Sequence, residues 1–232
     1  MKFIRRPDGL EQPFFEPKEI DQTCVIELRK VGLLPDQPEP IRIDQFIEKR
    51  FKIVPDYDSL PEGVMGYTEF DRNGVARIVI SRELAEDDSP VAQRRVRTTL
   101  AHEAGHGLLH AFLFGLSAPN AKLFGAENCA GHQVLCREIA HNEPAPRHKK
   151  SAWSEFQANR AIGGLLLPTR LVSKALEPFM VSAGSFGGAT LDPSRRIAAQ
   201  QRLSEVFDVN GIVAKIRIDE MMGQEMGGQQ LL

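Results

Sequence analysis

Apolar residues fall four apart in EPKEIDQTCVIELRKVGLLP, at Ile20, Cys24 and Leu28. That spacing sets one stripe of a helix against a core, and Gly32 and Pro35 mark its end. IDQFIEKRF predicts a second, shorter helix, and FKIV after it reads as a strand. GVMGYTEF and VARIVIS then form two strands joined across DRNG, whose Asn73-Gly74 pair suits a tight hairpin turn. EDDSPVAQRRVRTTLAHEAGHGLLHAFLFGL returns to helical patterning over a long run. Ser89 is placed to cap this helix and Pro90 to occupy its first turn, with acidic residues just upstream where the helix dipole favours them.

Residues 115–150 break the pattern and contain Gly, Pro and Asn with weak periodicity. A structureless run of that length is uncommon in a compact domain and is usually functional or disordered. SAWSEFQANRAIGGLLLP is a clear helix, capped near Ser151 and stopped by Pro168, and PTRLVSKALEPF continues helically. SAGSFGGATLDP reads as a flexible connector. SRRIAAQQRLSEVFDVNGIVAKIRIDEM predicts two helices around a turn at Asp208 to Gly211, and GQEMGGQQLL a frayed tail. The expected architecture is α+β, a helical body beside a small sheet. Residues 1–180 form the main domain and 181–232 a helical C-terminal subdomain with a flexible tail.

Composition narrows the setting more than the function. A net charge of -2 supplies no global field for nucleic acid or an anionic membrane. No stretch approaches the roughly 20 apolar residues of a membrane span, and the first residues lack the apolar run of a secretory signal. Three cysteines, Cys24, Cys129 and Cys136, are too few for a disulfide framework. A reducing, cytoplasmic location is expected.

The chemistry concentrates in TTLAHEAGHGLLH. On a helix, His102 and His106 lie four apart on one face, roughly 5–6 Å at Cβ, and both imidazoles reach one ion at bonds of roughly 2.0–2.1 Å. Glu103 is turned about 100° from His102 and flanks the ion, where a general base for water belongs. A chance H-E-x-x-H is expected in about one such chain in a hundred, and two histidines among Leu100, Leu108 and Leu109 also suit satisfied core groups. A third protein ligand is therefore needed. His110 does not supply it, since it lies about 12 Å along the axis from His102, and Phe112 stands where the metzincin pattern places a histidine.

The later helix carries Glu155, Asn159, Ile162 and Leu166 on one stripe. A carboxylate on an otherwise apolar stripe is costly unless paired or metal-bound, and Asn159 is placed to hydrogen-bond a ligand. Pairing of Glu155 with Arg94, Arg95 or Arg97 is the competing reading. Gly163 and Gly164 weaken this helix by up to ~1 kcal/mol each relative to Ala and permit close helix contact in return.

QRRVRTTLAHEAGHGLLH followed by WSEFQANRAIGGLLLP resembles the ImmA/IrrE family of metallopeptidases, which pairs an HExxH helix with a later E-x-QAN helix ending in Leu-Leu-x-Pro. The upstream order, PIRIDQFIEKRFKIV and then a hairpin with GVMGYTEF and RIVIS, is similar too, over approximately residues 15 to 220. Ala104 and the Gly163-Gly164 pair depart from the usual residues without touching a ligand. The resemblance implies a zincin-like metallopeptidase domain over 1–180 and a helix-turn-helix-like segment behind it. It implies that His102, His106 and Glu155 bind Zn2+, with Mn2+ as a substitute, and that Glu103 is the catalytic base. It further implies a zinc-dependent endopeptidase making limited cuts in a partner protein, a helix-turn-helix transcriptional repressor encoded nearby, in stress response or transcription regulation. Alternatives are a metal-bound interaction module or toxin-like protein with little proteolysis, and a DNA-binding regulator.

Other residues carry weaker signals. Tyr67, in the first hairpin strand, is a candidate oxyanion donor, although a strand tyrosine more often packs. Cys129, His132, Cys136, His141 and His148 lack a paired C-x2-C knuckle, against a second zinc. Lys215 and Arg217 are balanced by Asp219 and Glu220, which suits packing or substrate docking better than phosphate contact. Ion pairing is expected for Arg94, Arg95 and Arg97, which sit where cations oppose the helix dipole.

Overall fold

A computed structural model of the chain describes residues 2–5, 11–71, 73–115, 132–137, 151–182 and 189–227. It opens with a hairpin of β1 (Lys2–Arg5) and β2 (Glu11–Phe14), which the sequence pattern does not announce. Helix α1 (Pro17–Lys30) starts with Pro17 in its first turn and with a reciprocal cap between Glu16 and Glu19, the Glu16 N–H donating to Glu19 Oε2 at 2.9 Å. Its stripe of Ile20, Cys24 and Leu28 is fully buried. Helix α2 (Ile43–Phe51) ends at Lys52, whose φ of 64° turns the chain, so residues 53 and 54 of the expected FKIV strand are irregular.

The strands follow as β3 (Asp56–Asp58), β4 (Val64–Asp71) and β5 (Gly74–Ser81), with short helix α3 (Arg82–Ala85) after them. The predicted hairpin forms from β4 and β5. Within DRNG, Arg72 lies outside the described residues, and Gly74 takes the positive φ of 121° that the turn requires. Helix α4 (Pro90–Gly115) begins as read, with Ser89 Oγ accepting from the Ala92 N–H at 3.2 Å. Beyond it the expected structureless run contains a strand, β6 (His132–Arg137), paired antiparallel with β4. The sheet order is β3-β5-β4-β6, with β3 parallel to β5 and the other neighbours antiparallel.

Helices α5 (Ser151–Leu166) and α6 (Thr169–Leu176) break at Pro168. Strands β7 (Met180–Ser182) and β8 (Ala189–Leu191) pair within the stretch expected to be a flexible connector, whose residues 183–188 lie outside the described part. Helices α7 (Arg196–Phe207) and α8 (Gly211–Gly227) close the fold around Asp208, at φ 51°. The α+β expectation holds at this level, a helical body with a small sheet. Of the expected tail, residues 223–227 instead continue the last helix, and 228–232 lie outside the described residues. Among the described residues no helix is long and apolar enough to cross a membrane.

One buried core runs from Ile20 to Ile218 and includes Leu203, Phe207 and Ala214 of the last two helices. Charges reinforce that join. Arg217, 1% exposed, donates through Nη1 to Asp21 Oδ1 at 3.1 Å, through Nε to the Leu167 carbonyl at 3.0 Å, and through Nη2 to Thr169 Oγ1 at 3.0 Å. Arg160 reaches Asp21 at 2.9 Å and Glu220 at 2.7 Å. The expected ion pairing is met for Arg94 and Arg97 by Asp208, with Arg94 Nε at 2.9 Å from Oδ1 and Arg97 Nε at 3.6 Å from Oδ2.

Helix α4 is buried between the sheet and α5, so its middle turns are covered on nearly every side. Two glycines set how closely α5 is approached. A Cβ on Gly164 would stand 2.8 Å from Cys24 Sγ of α1. A Cβ on Gly105 would stand 2.8 Å from the Ala161 methyl and 3.2 Å from the Ala158 carbonyl. Gly105→Ala gains up to ~1 kcal/mol of helix propensity but overpacks against backbone at a cost of about 1–3 kcal/mol. Its chemical-denaturation midpoint should fall below wild type; a rise would show that the two helices are not in contact there.

Candidate metal centre

The close contact at Gly105 brings the polar faces of α4 and α5 together one turn to either side. His102, His106 and Glu103 are almost wholly buried. The two Nε2 atoms lie 3.0 Å apart, Glu155 Oε2 lies 3.1 Å from His102 Nε2, and Glu155 Oε1 lies 3.4 Å from His106 Nε2. Among the described residues these three form the group of potential metal ligands, with all donor atoms within 4.8 Å of one another. Two imidazole nitrogens and a carboxylate oxygen are a donor set that would hold a cation such as zinc and leave a position for water or substrate.

The donor set fits a cation chemically as well as geometrically. The Asn159 carbonyl oxygen sits 3.0 Å from His102 Nδ1. With Nδ1 donating to Asn159, a neutral ring leaves Nε2 free to bind a cation, and a protonated ring donates from Nε2 to Glu155. Burial pushes the Glu155 carboxyl up, but hydrogen bonds and charge from His102 and His106 outweigh it and hold it down at about 2. An ionised carboxylate 3.1 Å from His102 Nε2 is answered either by a hydrogen on that nitrogen or by a cation between the two.

Glu103 stands apart from the three. Its Oε2 accepts from the Thr68 hydroxyl at 2.7 Å, and the same hydroxyl lies 3.1 Å from the Glu103 carbonyl. Its Oε1 is buried and has no hydrogen-bond partner among the described residues. Burial raises its proton affinity, against the opposing pull of His102, His106 and Thr68. One oxygen held and the other open, on a carboxylate with raised basicity, is the arrangement of a proton acceptor.

Two expectations change here and a third is extended. Tyr67 is adjacent to Thr68 on β4, and successive strand residues point to opposite faces. With Thr68 turned to Glu103, Tyr67 faces the other side of the sheet, in the field of Glu69 and Arg77, and is not placed as an oxyanion donor. Arginine pairing as the role of Glu155 loses Arg94 and Arg97 to Asp208. His110 is not among the three convergent donors, as its spacing predicts, but it contacts His106. Its Nδ1 lies 3.0 Å from His106 Nδ1 and its Nε2 2.9 Å from Gln157 Oε1. Burial pushes the His110 imidazole down to about 3, with His106 adding to the effect, so the ring is neutral.

Thr68, His110 and Gln157 are therefore site residues that the sequence reading missed. Thr68 had a signal, as the one hydroxyl on the inward face of β4 between Gly66 and Phe70. The side chains of Cys129, His132, Cys136, His141 and His148 lie outside the described residues.

No family model matches the chain, and no curated protein matches it significantly.

Glu155→Ala should cut the bound metal well below one ion per chain by elemental analysis, because two imidazoles remain. Thr68→Val should leave metal content at wild type and lower stability by about 1–3 kcal/mol, since Glu103 Oε2 is left buried without its donor. Full metal occupancy in the Glu155 variant would move the third ligand elsewhere.

Proposed function

We propose that the chain is a zinc-dependent endopeptidase of the ImmA/IrrE type, with Zn2+ held by His102, His106 and Glu155. The observation that carries this reading is the convergence of three donor atoms beside a buried carboxylate whose Oε1 has no partner. The HExxH and E-x-QAN resemblance supports it independently. Mn2+ is the natural substitute for the metal, and a cytoplasmic location accords with the composition.

The metal would act as a Lewis acid, polarising the peptide carbonyl and acidifying the attacking water. The protein groups do the rest. Glu103 Oε1 accepts the proton of the water and later passes it to the leaving amine, while Thr68 holds Oε2 so that the carboxylate does not rotate. Asn159 fixes the His102 ring.

Limited cleavage of a helix-turn-helix repressor is the substrate reading that the family resemblance favours. Direct DNA binding by the terminal helices is disfavoured by their charges, since Arg217 is buried in the Asp21 network and Arg196 and Lys215 both pair with Asp219.

The metal-loaded protein should cut such a repressor at one or a few bonds and leave casein essentially intact, with fragments read by mass spectrometry. Glu103→Gln should keep its metal and lose about 10²–10⁴-fold of the cleavage rate. Rapid casein breakdown would contradict selectivity. No cleavage of any polypeptide by a fully metal-loaded protein would favour a metal-bound interaction module instead.

A further inference from the structure

We propose that His110 and Gln157 are positioning residues, a two-member hydrogen-bond relay whose polarity decides whether His106 offers a lone pair to a metal. The inference rests on the metal-centre reading above and extends it beyond the three ligands.

The relay runs Gln157 Oε1, His110 Nε2, then His110 Nδ1, His106 Nδ1, over gaps of 2.9 and 3.0 Å. All three residues are buried, so water does not set the direction of these bonds. An amide oxygen only accepts, so His110 Nε2 donates to Gln157. A neutral imidazole has one N–H, so His110 Nδ1 is bare and accepts. His106 Nδ1 is then the donor, and His106 Nε2 carries a lone pair into the site, facing His102 Nε2 and Glu155. In this polarity both imidazoles are ready to ligate.

The opposite polarity uses the same hydrogens. Turning the Gln157 amide makes its nitrogen the donor to His110 Nε2. The His110 hydrogen moves to Nδ1 and donates to His106 Nδ1, and the His106 hydrogen moves to Nε2. That N–H points at the Glu155 carboxylate 3.4 Å away and blocks coordination. Gln157 therefore stands at a branch between a metal-ready and a closed centre. Its amide nitrogen is buried with no hydrogen-bond partner among the described residues, so the amide itself gains no bond on that side from the metal-ready orientation. A cation in the site supplies the bias that the amide does not. Glutamine at this position thus makes metal binding conditional, where an acceptor-only side chain would lock the ready state.

The test is a zinc-affinity measurement on the full chain, by competition with a chromophoric chelator, for wild type, Gln157→Glu and Gln157→Leu. Gln157→Glu keeps only acceptors and should bind zinc as tightly as wild type or more tightly. Gln157→Leu removes the acceptor and should weaken binding about 10–100-fold. If glutamine serves packing alone, the charged variant weakens binding at least as much as the apolar one, and that order overturns the proposal. Imidazole nitrogen NMR on wild type needs no variant. In the zinc-loaded protein His110 should carry its hydrogen on Nε2, and a hydrogen on Nδ1 overturns the relay. If wild type binds neither Zn2+ nor Mn2+, the metal reading fails. The same spectra of the metal-free chain then judge the relay alone, through whether Gln157→Glu shifts His106 toward its Nδ1–H form.

Discussion

The distance between α4 and α5 governs everything else in this structure. It is set where Gly105 of α4 meets Ala158 and Ala161 of α5, a contact with no room for one further methyl group. Glu155 lies one turn before that contact on α5, and His102 and His106 lie on either side of Gly105 on α4. Carboxylate and imidazoles are thereby held at 3.1–3.4 Å without any flexible loop. Protein interiors deform little, so helix packing is what makes the donor set rigid. The same compactness buries the charged and polar groups that any chemistry there needs.

Burial of that kind is tolerable only where each group is answered. Asn159 answers His102, His110 answers His106, Gln157 answers His110 and Thr68 answers one oxygen of Glu103. On the far side of α5, Arg160 joins Asp21 of α1 and Glu220 of α8, and Arg217 closes the network. Helix α5 thus has polar fixtures on two faces, one for the candidate metal centre and one for the terminal helices. Among the described residues, the buried side-chain atoms without a hydrogen-bond partner fall at Glu103, Trp153, Gln157 and Arg160, two of them within the centre itself. Local departures of this sort are expected at functional sites rather than elsewhere.

Much of the centre was legible because helical periodicity carries it. His102, Glu103 and His106 follow from spacing on one helix, and Glu155 and Asn159 stand out as polar members of an apolar stripe. Thr68 and Gln157 were hidden because their partners lie 35 and 47 residues away, at distances fixed only by how sheet and helices pack. The fold was read well where patterning is local, in α1, α4, α5 and the β4–β5 hairpin. It failed where neighbours decide. Asp-Tyr-Asp has little strand propensity of its own and forms β3 by pairing with β5, while Lys52 turns the chain away from the expected strand. Strand β6 likewise takes its hydrogen bonds from β4, and the loop-like composition around it concealed that.

The place of β4 in the sheet has a consequence for how a polypeptide would be received. Both of its backbone edges are taken, one by β5 and one by β6, so the strand carrying Thr68 is an interior one. Among the described residues, an extended chain adding to this sheet by backbone pairing would meet the outer margins of β3 and β6 and the part of β5, residues 74–78, that β3 does not cover. The short β3, three residues long, offers little length for such a ladder. Strand augmentation would thus fall to β6 on one side of β4, or to the uncovered part of β5 on the other.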